Sequence, residues 1–153
     1  MNKFLVETFS YLRKQLQSYL NEEFKDYNLK SSEIFFMQLL HNNGPLSQIE
    51  ISKLLECDKA HIHRTVSRLI EKGYVVRLDE KEHIKNSKLL LTQSGQELSI
   101  KVEKAINKWN KFMLKGVSDE DIKIAGKVAI KIFENACNFK KNGEQKCLNY
   151  LNI

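Results

Sequence analysis

The chain is poor in the features that mark several classes of protein. Its single proline, Pro45, sits in "HNNGPLSQ" and makes the clearest internal break. Its three cysteines, Cys57, Cys137 and Cys147, are odd in number and too sparse for the disulfide framework of a small secreted domain. No run approaches the roughly 18 apolar residues of a membrane span. The start, "MNKFLVETFSYLRKQ", lacks the apolar core and small-residue cleavage site of a signal peptide. There is no repeat or low-complexity tract, no Gly-rich phosphate loop, no nucleophile elbow and no His-Glu-x-x-His. These absences predict a cytoplasmic, non-membrane protein that is not an enzyme and carries no cofactor.

What is present is an ordinary folding chain with a basic surplus. Of 153 residues, 42% are hydrophobic, enough for a real core, and the formal charge of +6 suits an anionic partner such as nucleic acid. The spacing of Phe9, Leu12, Leu16, Tyr19 and Leu20 predicts a long helix from about Lys3 to Phe24. "SSEIFFMQLLHN" predicts a second helix buried on several sides. In "LSQIEISKLLECDKAHIHRTVSRLIEKG", Ser47 and Glu50 have capping-box spacing and open a short helix with Ile49, Ile51 and Leu54 or Leu55 inward. Asp58 is a good N-cap for the next helix, and Gly73 sits where a left-handed residue ends it.

Two short helices joined in this way form a helix-turn-helix. "YVVRL" and "SKLLLT" then flank the charged "DEKEHIKN" as a β-hairpin wing with a long tip. Two long amphipathic helices follow. One carries Leu98, Val102, Ile106, Trp109 and Met113 on a stripe, and the other is entered through Ser118 and Asp121. The expected fold is mainly α, a winged helix-turn-helix in the order helix, helix, helix-turn-helix, hairpin, helix, helix. Residues 31–93 form the DNA-binding lobe, and the long terminal helices, in 1–30 and 94–153, form a dimerisation domain.

The stretch "DKAHIHRTVSRLIEKGYVVR" carries the functional signal. At about 100° per residue, Ile62, Val66 and Leu69 fall on one side, and Ala60, His63, Arg64 and Ser67 on the other, with His61 and Arg68 on a flank. Small residues allow close approach, and arginine can grip guanine O6/N7 in two places or hold a phosphate. The N-terminal half of the second helix is the part that reaches base edges in the major groove. Ser47 and Lys59 complete the expected DNA-facing set on the helices.

These residues resemble the MarR-type transcriptional regulators over nearly the whole chain. "LSQIEISKLLECDKAHIHRTVSRLIEKGYVVR" is similar to the family's stretch running into the wing, including Arg64, Arg68 and Leu69 and the Lys72–Gly73 pair. "LLLTQSG" is similar to its Leu-Thr-x-x-Gly signature. The resemblance implies a homodimer on a pseudo-palindromic double-stranded operator. It also implies a repressor relieved by a small, often aromatic, effector, bound in a cleft between the dimer helices and the DNA-binding lobe. Where the family's wing carries Asp-x-Arg, this chain has His83 and Lys85, which lacks the arginine fork. Wing contacts are therefore expected to be weaker, through Lys85, or shifted to Arg77, Lys81 and Lys88.

Three other readings compete with DNA recognition. Cys57, His61 and His63 invite a metal, but His63 lies about 200° round the helix from His61, and no spacing supplies a tetrahedral set. Cys57, near a positive helix start, invites thiol sensing, against the blander reading of a small buried cysteine. A winged helix used only to bind other proteins would not need Arg64 and Arg68 exposed beside a basic wing. Tyr11, Phe35, Phe36, Trp109 and Phe112 are candidates for an aromatic ligand cleft, although aromatic residues at such positions are more often plain core.

Overall fold

The computed structural model describes residues 2–55, 58–78 and 87–141. Their elements run α1 (Asn2–Glu23), a 3-10 turn (Lys25–Tyr27), α2 (Ser31–Asn43), β1 (Leu46–Ser47), α3 (Gln48–Leu55), α4 (Lys59–Glu71), β2 (Val75–Arg77), β3 (Lys88–Leu91), α5 (Gln93–Met113) and α6 (Asp119–Lys141). This is the expected order with two additions, the 3-10 turn and a short strand. The two residues after Pro45 form a strand that pairs antiparallel with β3, Leu46 opposite Leu89 and Ser47 opposite Lys88. The wing is therefore a three-stranded sheet in the order β1-β3-β2.

Local chemistry sets the boundaries. Glu50 accepts from the Ser47 backbone N–H at 2.7 Å while the Ser47 hydroxyl accepts from the Glu50 N–H at 3.2 Å, a capping box that starts α3. Asp58 caps α4 by accepting from the N–H groups of Ala60 and His61. These two bonds hold its carboxyl below the usual carboxylate range. Gly73, at φ 75°, turns the chain out of α4 into β2. Thr92 caps α5 by accepting from Gly95 N–H. Its hydroxyl donates back to the Gly73 carbonyl at 2.7 Å, so the end of α4 and the start of α5 are stitched together.

One hydrophobic core runs through the lobe and into its flanking helices. Ile34, Phe36, Met37 and Leu40 of α2 meet Ile51, Ile62, Val66, Leu69, Val75 and Leu89 of the winged unit. The same cluster continues into Leu20, Phe24 and Leu29 on one side and Leu98, Val102 and Ala105 on the other. Tyr19 stacks on Trp109 at 5.4 Å, joining α1 to α5. Two expectations for the interior are corrected. Ile49 points outward, 40% exposed, because α3 is short and Ile51 alone of its residues reaches the centre of the core. Met113, at the far end of the α5 stripe, is also exposed, since the stripe outruns the core beneath it.

Beyond that core, apolar residues stand uncovered. Leu5, Val6, Phe9, Tyr11 and Leu12 of α1, Phe112 of α5, Val117, and Ile124 and Val128 of α6 are all exposed. No described helix is long and apolar enough to cross a membrane.

Candidate nucleic-acid interface

Helix α4 divides into two faces as its period demands. Ile62, Thr65, Val66 and Leu69 are buried, while Lys59, Ala60, His61, His63, Arg64, Ser67 and Arg68 are all exposed. These seven are the α4 residues expected from the sequence to face DNA; the remaining exposed position, Glu71, is an acid two turns beyond Arg64 at the C-terminal end of the same face. Anchoring is strong at both ends, by Asp58 at the start and by the Gly73–Thr92 stitch at the finish. A helix held in this way presents its outer side chains on a rigid platform. That face carries three permanent cations, Lys59, Arg64 and Arg68, with two imidazoles among them.

Two other expected contacts have different roles. Ser47 is buried, and its hydroxyl is used up in the α3 capping box, where it also donates to Glu50 Oε2 at 2.8 Å. Lys88 is paired, because its place opposite Ser47 in the β1–β3 pair puts its ammonium against the same carboxylate, at 2.6 and 2.8 Å, with its side chain still partly exposed. The Lys88 ammonium, with the Ser47 N–H and hydroxyl, pushes the Glu50 carboxyl down to about 2. Lys88 thus ties the wing to α3 through a partly exposed ion pair. Arg77 is half-buried on β2 and donates to the Ser87 hydroxyl at 3.2 Å. Lys81, His83 and Lys85 of the wing, and Cys57, lie outside the described residues.

Between α3 and α4 runs a groove of about 640 Å³ lined by Gln48, Ile49, Ser52, Lys53, Lys59, Ala60, Ile62 and His63. Buried in it is the side-chain amide nitrogen of Gln48, without a hydrogen-bond partner among the described residues. Lys53, which was not among the expected contacts, extends the basic surface from α4 onto α3; the signal for it in the sequence is its position about 200° round the helix from Ile51. Of the aromatic candidates, Phe36 is core, Phe35 is half-buried against it, Trp109 is half-buried and stacked on Tyr19, and Tyr11 and Phe112 are exposed.

Comparison with known proteins agrees with this geometry. The MarR family model matches residues 29–83, from just before α2 to within the wing. The HTH-type transcriptional regulator BilQ of Clostridioides difficile (strain CD3) is 29% identical over 121 residues, covering 76% of this chain and 82% of that protein. The uncharacterized HTH-type transcriptional regulator YwoH of Bacillus subtilis (strain 168) is 26% identical over 122 residues, covering 79% and 88%. Among solved structures, a MarR protein from Peptoclostridium difficile DA00132 superposes with a TM-score of 0.81 at 21% identity, covering 88% of each chain. A MarR family regulator from Listeria monocytogenes, solved with 26mer DNA, superposes at 0.79 and 23% identity over 92% of this chain and 96% of that one. The solved structures share the winged helix fold, and the family model falls on the segment that holds the capped, outward-facing α4. Residues 29–83 thus carry a MarR-family domain, and most of the chain is similar to MarR-type transcriptional regulators.

Proposed function

We propose that this regulator is a cytoplasmic homodimer that reads a pseudo-palindromic operator with α4 in the major groove, and that it represses until a small effector releases it. The observation that carries the reading is the composition of the exposed α4 face. Ala60 and Ser67 leave room for close approach, and Arg64 lies in the half of the helix that reaches base edges. Lys53, Lys59 and Arg68 supply phosphate contacts around it, and Lys81 and Lys85 extend them along the wing. The Listeria neighbour solved with DNA supports this use of the fold. Lys88 leaves the set, because Glu50 already holds it.

The dimer reading rests on the uncovered apolar residues of α1, α5 and α6, which need a second copy to leave water. We assign residues 1–30 and 94–153 to that role and 31–93 to DNA. Two-fold symmetry then sets the half-sites about one helical turn, roughly 10 bp, apart. Repression and its relief by a small, often aromatic, molecule rest on the family resemblance alone.

The test is selection of duplexes from a random library, followed by titration of Arg64→Ala on the selected operator and on a scrambled one. Arg64→Ala should cost the selected duplex about 1–3 kcal/mol and relax preference at one position per half-site. No enrichment by the wild-type protein, or a monomer by sedimentation at micromolar concentration, would overturn the proposal.

A further inference from the structure

The most deeply buried charge in the described fold lies away from the exposed α4 face. Glu33, in the first turn of α2, is 1% exposed. Its Oε2 accepts from the Lys30 N–H at 2.8 Å and from the Lys72 ammonium at 3.0 Å, and its Oε1 accepts from that ammonium at 3.1 Å. Lys72 also donates to the Asn28 carbonyl at 2.5 Å. Asn28 is itself in the left-handed conformation, closing the 3-10 turn that joins α1 to α2. Lys72 is the C-cap of α4. The residue that caps the end of the exposed helix is therefore gripped by the junction between α1 and α2, 39 and 44 residues back in the chain.

An apolar pair of similar size would stabilise this position at least as well, because desolvating two charges offsets most of their attraction. What three directed hydrogen bonds supply, and an apolar contact does not, is one geometry. We infer that Glu33 and Lys72 are positioning residues that fix the angle at which α4 meets DNA; this rests on the DNA-reading role proposed above. The lever is simple. Arg64 stands eight residues from Lys72, about 12 Å along the helix axis. A tilt of about 5° about the gripped end moves the Arg64 backbone by roughly 1 Å, which takes a hydrogen bond from ideal length to beyond its useful range. The same grip joins α4 to the end of α1, so a shift of that helix would be felt at the reading face.

The test uses the full chain, the operator selected with wild-type protein, and a scrambled duplex of equal length. Glu33→Gln with Lys72→Met removes one charge of each sign, so long-range attraction to DNA is unchanged while the grip is lost. The expected result is about a tenfold loss on the selected duplex. Affinity for the scrambled duplex and the salt slope should stay as in the wild type, with folding and oligomeric state checked by circular dichroism and sedimentation. Glu33→Gln alone, which leaves Lys72 the Asn28 carbonyl and an amide acceptor, provides a milder second variant if the pair fails to fold. It should weaken the selected duplex only, whereas a purely electrostatic role for Glu33 would tighten both duplexes. Wild-type discrimination retained in the folded double variant overturns the inference. So does equal weakening of both duplexes with a shallower salt slope, which would make Lys72 a phosphate contact. Failure of the wild type to discriminate at all would instead strike the DNA-reading proposal.

Discussion

Gly95 offers a sharp test of the packing, because helix propensity and tertiary structure predict opposite signs there. It is the third residue of α5, where replacing glycine by alanine ordinarily favours the helix by about 1 kcal/mol. A Cβ at this position would stand 2.2 Å from the Tyr74 carbonyl oxygen, 3.1 Å from its carbon and 3.3 Å from Leu91 Cδ2. The carbonyl has no easy retreat. It accepts from Thr92 N–H at 3.0 Å, and the adjacent Gly73 carbonyl takes the Thr92 and Ser94 hydroxyls at 2.7 and 3.1 Å. Reaching ordinary carbon–oxygen contact, about 3.3 Å, requires α5 and the α4–β2 turn to separate by about 1 Å. Overpacking of this kind costs up to about 3 kcal/mol, and one weakened hydrogen bond adds about 1. Set against the helix gain, Gly95→Ala should destabilise the protein by about 2–3 kcal/mol, or roughly 5–10 °C in Tm. Thermal and urea unfolding followed by circular dichroism measure this directly. Gly126→Ala is the companion, since nothing lies within 4 Å of its added Cβ, and it should gain up to about 1 kcal/mol. A Gly95→Ala protein as stable as the wild type would refute the close approach; a loss at Gly126 would put a second copy's side chains against α6 there.

Three further outcomes follow from named contacts. Lys88→Ala should leave the salt slope of DNA binding unchanged and lower stability by only about 0.5–1 kcal/mol, because both partners of the Lys88–Glu50 pair are over two-fifths exposed; salt titration and urea midpoints separate the two effects. The Glu50 carboxyl, held at about 2 against an ordinary 4.5, contributes stability that is fully present above about pH 4.5 and is lost as the pH falls toward 2. Glu50→Gln should therefore flatten the acid limb of urea midpoints within that window, and an unchanged limb would show that the carboxylate gains nothing from Lys88 and Ser47. Tyr19→Leu keeps an apolar side chain but removes the ring stacked on Trp109, for about 0.5–1.5 kcal/mol and a changed emission from the chain's only tryptophan.

The features legible in the sequence are those whose chemistry is local. Ser47 with Glu50, Asp58 and Gly73 each act within a few residues, so their spacing alone marked where α3 and α4 begin and where α4 gives way to β2. The outward face of α4 was equally legible, because a 3.6-residue period over 13 residues leaves little freedom. Three features were not. β1 has only two residues, too few for any alternation to register. Lys88 looked like a phosphate ligand until the β1–β3 register placed it opposite Ser47. Glu33 sits in a stretch read as apolar, and its partner lies 39 residues away. Each depends on pairing between distant segments, which a pattern read along the chain does not encode.

The continuity of the core also constrains engineering. Regulators of this shape invite the construction of chimeras in which one protein's DNA-reading lobe is set on another's scaffold. Cutting at residues 30 and 94 would divide a single packed interior, leaving Phe36, Met37 and Leu40 in the transplanted cassette and Leu20, Phe24, Leu98 and Val102 in the recipient. It would also part Lys30 and Asn28 from Glu33 and Lys72. Because buried side chains interlock at crystal-like density, a foreign cassette would meet the scaffold with voids on one side and clashes on the other. A working exchange has to carry the facing turns of α1 and α5 with it, so the smallest transferable unit runs from about Leu20 to Ala105.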